Sequence, residues 1–169
     1  MPIFEETRTM NYKNLADESR VWIYQSSREL DNLEVDEIKK HGKDFINSWS
    51  AHGAELNAAF EIFYNRFIVL FADETQVKAS GCSIDSSVHF IQKIQEAYQL
   101  DLFDRLNIAF KVANKIDTLR LNDFQEALEK GQLTEDTIVF NNLIERKADF
   151  EKSWEVQLKN SWHKQLMAV

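Results

Sequence analysis

The run Phe67-Ile68-Val69-Leu70-Phe71-Ala72 restricts the fold of this chain more than any other segment. It has the length and the aromatic, β-branched make-up of a strand, yet no polar residue interrupts it. A half-exposed strand alternates apolar with polar, so an unbroken apolar strand must be covered on both faces. The chain must therefore wrap two layers around this segment, and 169 residues suffice for one domain of that kind.

The remaining pattern supplies the layers. Val21-Trp22-Ile23-Tyr24 reads as a strand closed by Gln25-Ser26-Ser27. Asp31, three residues before Glu34, predicts a capping box for a helix over about 33–51 that ends near His52-Gly53. Along it Val35, Ile38, Phe45, Ile46 and Trp49 recur at helical spacing. Phe60–Phe63 makes a hairpin with the buried run across Tyr64-Asn65-Arg66. After a polar loop, Ser83 is expected to cap a second long helix carrying Ile84, Val88, Ile91 and Tyr98 on one face. Strands over 107–112 and 116–121, a short helix capped by Asn122 and ended at Gly131, and a sixth strand over 137–140 follow. From about Arg146 the spacing of Phe150, Trp154, Leu158, Trp162 and Leu166 predicts a closing helix.

The strand–helix–strand–strand–helix–strand order up to Val112 is that of a ferredoxin-like split βαβ. The expected fold class is α+β. An N-terminal arm, 1–19, packs through Phe4 and Tyr12 ahead of a single domain, 20–169. That domain holds a mixed or antiparallel sheet of about six strands and about four helices, with a C-terminal extension behind the βαββαβ start.

Charge and cysteine count remove several function classes. The net charge of −8 makes the chain acidic and leaves no basic footprint for phosphates, so neither nucleic acid nor an anionic membrane surface is an expected partner. One cysteine allows no internal disulfide, and four histidines without His-x-x-x-His spacing point to no zinc site. No cofactor is specified. Met1-Pro2-Ile3-Phe4-Glu5-Glu6 has no secretory leader pattern, and no apolar run approaches the ~20 residues of a membrane span. The expectation is a soluble, cytoplasmic protein without membrane insertion.

The segment Ser80-Gly81-Cys82-Ser83-Ile84-Asp85-Ser86-Ser87-Val88-His89 concentrates small polar residues, the cysteine and a histidine where a helix begins. Helix N-termini offer unpaired N–H groups and a partial positive charge. The leading expectation is therefore a pocket for a small polar or anionic ligand lined by Ser80, Gly81, Cys82, Ser83 and Ser86, with Arg66 or His89 adding charge or hydrogen bonds. Plain capping accounts for Gly81, Ser83 and Asp85 without any ligand. A second reading is a thiol enzyme, with Cys82 as nucleophile and a histidine as base. Cys82 and His89 stand nearly two turns apart if both are helical, so the base would be His89 on a folded-back loop, or His41, His52 or His163. The opposing view is that a lone cysteine is a small core residue. A third reading is a structural or adaptor protein acting through the segment around Trp154 and Trp162.

Phe67 to Glu74 also resembles a Walker B string, an apolar strand ending in Asp73-Glu74. The matching phosphate cradle needs Gly-x-x-x-x-Gly-Lys-Ser/Thr. The residues five after Gly42, Gly53, Gly81 and Gly131 are Asn47, Ala58, Ser86 and Asp136, so no P-loop is present and ATPase activity of that class is excluded. The segments Arg20–Gln25, Tyr64–Leu70, Ser80–Asp85 and Thr137–Asn142 resemble a small bacterial family of unknown function whose members are often labelled "ABC transporter ATPase". The resemblance covers most of the chain and brings no biochemical role. It implies association with an ABC system for the adaptor reading.

Overall fold

A computed structural model describes residues 11–51 and 53–167. Among them are four α-helices and nine strands in three antiparallel sheets, an α+β domain. The central sheet holds β1 (Arg20–Gln25), β4 (Asn57–Phe63) and β5 (Phe67–Asp73) in the order β1-β5-β4. Helices α1 (Asn32–Ser48) and α2 (Gly81–Tyr98) connect them in the βαββα order. A small hairpin of β2 (Ser50–Ala51) and β3 (Ala54–Glu55) follows α1.

Residues 67–72 of β5 are wholly buried, and its two faces serve two different cores. Ile68, Leu70 and Ala72 pack with Ile38, Ile46, Ile91 and Ile94 of the two helices. Phe67, Val69 and Phe71 pack with Ala109, Phe140, Phe150 and Trp154 from the C-terminal half. The missing alternation in the sequence is the signature of this double cover. Tyr12 closes the second core by stacking on Phe71 at 4.7 Å, with Leu15 buried beside it. Phe4, expected to pack in the arm, lies outside the described residues, as does His52.

α1 begins as expected: Asp31 accepts the Glu34 N–H at 2.8 Å while Glu34 accepts the Asp31 N–H at 3.1 Å. The start of α2 is a correction. Ser80 is its N-cap, accepting the Ser83 N–H at 3.1 Å, so Ser83 lies inside the first turn. Ser83 is buried, and its carbonyl accepts a 2.7 Å bond from Trp49 Nε1; this docking seats Ser83 within the helix and leaves Ser80 at its lip.

The fourth strand of the βαββαβ order, β6 (Asn107–Val112), does not join the central sheet. It starts a second sheet with β7 (Lys115–Arg120), β8 (Ile138–Phe140) and β9 (Glu155–Gln157), in the order β7-β6-β8-β9. Instead of about six strands in one sheet, the chain builds two separate principal sheets, with α3 (Leu121–Glu129) over a third core formed around Phe110, Phe124 and Val139. α3 follows β7 directly with Arg120 at its cap and no side-chain cap bond, so Asn122 is helical rather than capping. Gly131 takes φ +72°, the left-handed conformation glycine adopts without strain.

The predicted long closing helix is also corrected. α4 (Lys147–Ser153) ends at Trp154, and residues 155–157 form β9, followed by short 3₁₀ turns over 158–160 and 162–166. Trp154 is wedged between the sheets, 4.9 Å from the Phe67 ring and 5.0 Å from Phe140, with its Nε1 donating to Asn142 Oδ1 at 3.0 Å. β8 needs a second partner, and Glu155–Gln157 supplies it. Pairing of the edge outweighs one more turn of helix.

Candidate functional site

The residues singled out around α2 separate on folding. Gly81 and Cys82 are exposed at the first turn, with no hydrogen bond to either N–H among the described residues. Ser83 faces inward, where its Oγ donates to Ser80 O at 2.8 Å. Ser87 is likewise buried and donates to Ile84 O at 2.6 Å. Ser86 and His89, three apart on one helix face, line a shallow groove of about 360 Å³ with Ser48 and Lys93 over Phe45 and Phe90. Ser80, Gly81 and Cys82 do not line that groove. Arg66 precedes β5, whose seven residues at about 3.3 Å each separate it by roughly 20 Å from the strand end that leads toward α2.

The thiol reading finds no partner. Cys82 and His89 both lie in α2, seven residues and about 10 Å of helix axis apart. Cys82 makes no hydrogen bond or ion pair among the described residues. The Walker-B-like acids are engaged locally: Asp73 accepts the Thr75 N–H at 2.9 Å and Glu74 the Ala79 N–H at 2.8 Å. Glu74 also meets Arg20 at 3.6 Å and Arg146 at 3.8 Å. Trp154 is buried and Trp162 half-buried, so the C-terminal segment presents no bare tryptophan surface.

A more enclosed site opens where β6 parts from the central sheet. A closed βαββαβ sheet would pair its fourth strand with its first. Here, among the described residues, the hydrogen bond between the two strands comes from a side chain: Gln25 Nε2 donates to Asn107 O at 2.9 Å, and Gln25 Oε1 accepts from Asn142 Nδ2 at 2.9 Å. With Trp154 on Asn142, this makes one polar chain across the seam. Beside it lies a cavity of about 110 Å³.

β1 supplies an unpaired edge to this cavity. Val21 turns its N–H away from β5 to Glu145 O at 3.0 Å. By the two-residue period of a strand, the N–H and C=O of Ile23 and Gln25 face the same way. Among the described residues no backbone hydrogen bond meets them. Buried backbone groups are nearly always paired, with protein or with water, so an open edge in a cavity wall leaves donors and acceptors available there.

Three side chains complete the wall. Tyr24 is 9% exposed, and its hydroxyl has no hydrogen-bond partner among the described residues. Burial raises its pKa and the Arg105 charge pulls it partly back; both side chains line the cavity. Arg105 itself makes no ion pair or hydrogen bond among the described residues. His163 is 2% exposed; Ser161 Oγ lies 2.7 Å from its Nδ1, and burial lowers its pKa to about 4, so the imidazole is neutral.

No protein-family model, curated protein or solved structure matches this chain. The site therefore rests on its own geometry. Asp104 lines the cavity but is committed elsewhere, accepting the Leu106 N–H at 2.9 Å and pairing with Arg120, and its carboxyl is held below the usual range mainly by that backbone bond. Phe103 and Leu143 stand exposed at the rim. Gln25, Asn107 and Asn142 do not stand out in the sequence as site residues because 82 and 117 positions separate the bonded groups. The one local signal is a glutamine ending an otherwise apolar strand.

Proposed function

We propose that this chain is a binding protein for a small polar or anionic molecule, held in the cavity between β1 and β6. The observation that supports this reading is an unpaired backbone edge and a buried tyrosine with an unpartnered hydroxyl at one enclosed space. Desolvating such groups without a partner costs on the order of 1–3 kcal/mol each, so a ligand that enters this cavity must replace the bonds that water supplies. The test is a fragment titration of the full chain by amide NMR with small anionic, neutral and cationic compounds, alongside native mass spectrometry for a co-purifying small molecule. Shifts confined to residues 23–25 and 107–109 support the reading. Failure of every charge class to shift those amides overturns it.

The α2 start is a second reading, favoured by the open Gly81 and Cys82 amides at an exposed N-terminus. Inorganic phosphate that shifts residues 81–83, and not 23–25, would select it instead.

A further inference from the structure

Resting on the cavity as the binding site, we infer that its ligand is a short aliphatic monocarboxylate. Three observations converge. The wall carries one guanidinium, Arg105, that no acid of the described chain neutralises. The acid next to it in sequence, Asp104, is already bound to Arg120 and the Leu106 amide, so nothing in the wall competes for Arg105 or welcomes an amine. Tyr24, a residue nine-tenths buried, lines the same cavity as Arg105, and its hydroxyl makes no hydrogen bond among the described residues. Carboxylates take charge-assisted bonds of this kind from an arginine fork and a hydroxyl together.

Size and lining set the remainder of the molecule. A cavity of about 150 Å³ holds benzene. By that measure the 110 Å³ here encloses roughly four to five non-hydrogen atoms, and the open rim at Phe103 and Leu143 leaves the end of a slightly longer molecule outside. Ile23, Ile108 and Phe140 supply apolar surface for a short alkyl group. A phosphate would bring a second negative charge for which the wall has no cation. A neutral amide can accept from the same donors but leaves the charge of Arg105 uncompensated.

The experiment compares butyrate, butyramide and butylamine on the full-length protein at pH 7 by calorimetry and amide NMR. Butyrate is expected to bind at least about tenfold more tightly than butyramide, the worth of one charge-assisted contact, and butylamine not at all. Arg105→Gln, at an exposed position, should bring the butyrate-to-butyramide ratio to about one. Tyr24→Phe should weaken butyrate and leave the fold intact by circular dichroism. Butyramide binding as tightly as butyrate overturns the carboxylate assignment and leaves the cavity reading standing. Binding of none of the three also overturns it, and the wider fragment titration then decides whether the cavity reading falls as well.

Discussion

Gly42 sits near the middle of α1, a 17-residue helix, where alanine would ordinarily be preferred by about 1 kcal/mol. Helix propensity alone predicts that Gly42→Ala stabilises. The packing predicts the opposite. A Cβ built on Gly42 falls into the Phe60 ring, far inside the ~3.5 Å carbon–carbon optimum. Phe60 is 6% exposed and has little room to retreat: it packs edge-on against Phe90 at 5.9 Å, and Phe90 stacks on Phe45 at 4.5 Å. Overpacking of this sort costs about 1–3 kcal/mol, and a direct ring collision belongs at the upper end. Subtracting the ~1 kcal/mol propensity gain leaves a net loss of about 2 kcal/mol. In a chain of this length that lowers Tm by about 4–8 °C. Urea unfolding and calorimetry on Gly42→Ala, Phe60→Ala and the double variant provide the measurement. In the Phe60→Ala background every colliding atom of the ring is gone, so Gly42→Ala should become stabilising, giving a coupling energy of up to about 3 kcal/mol. A rise in Tm for the single Gly42→Ala variant would refute the reasoning.

Two further outcomes follow from the buried and exposed titratable groups. His163 has a folded pKa of about 4 against an ordinary 6.5, so stability from its neutral form is fully present above pH 6.5 and is lost as pH falls toward 4. The loss amounts to about 3 kcal/mol at most, and His163→Gln should flatten that stretch of the stability–pH curve; an unchanged curve would show that His163 is not what titrates. Cys82 is exposed and without a histidine partner, so iodoacetamide should label it in the native protein at the rate of an unstructured thiol peptide. Labelling many times faster would revive the thiol-enzyme reading.

The elements readable in the sequence are those fixed by near neighbours. The Asp31–Glu34 box announces α1 because both partners lie within one turn. The apolar run at 67–72 announces a doubly covered strand because burial on two faces erases alternation. The α2 cap lies three residues before its expected place, since Ser80 and Ser83 are equivalent as local signals. Trp49, 34 positions away, decides between them by docking on Ser83. The closing segment shows the same effect on a larger scale. Its large apolar residues recur every four positions, but Trp154 must fill the gap between Phe67 and Phe140, and the chain turns extended there. The cavity is invisible in the sequence for the strongest version of that reason. It exists because two strands do not pair, and an absent ladder leaves no mark in either strand's own residues.

One strand shared by two cores also dictates where this protein cannot be cut. A fragment ending near Leu106 would retain β1, α1, β4, β5 and α2, yet Phe67, Val69 and Phe71 would lose Ala109, Phe140, Phe150 and Trp154 and meet water as a continuous greasy stripe. The N-terminal half, tidy in its connectivity, should therefore aggregate when expressed without the residues that cover it. Its rear wall is made by a part of the chain that is synthesised later.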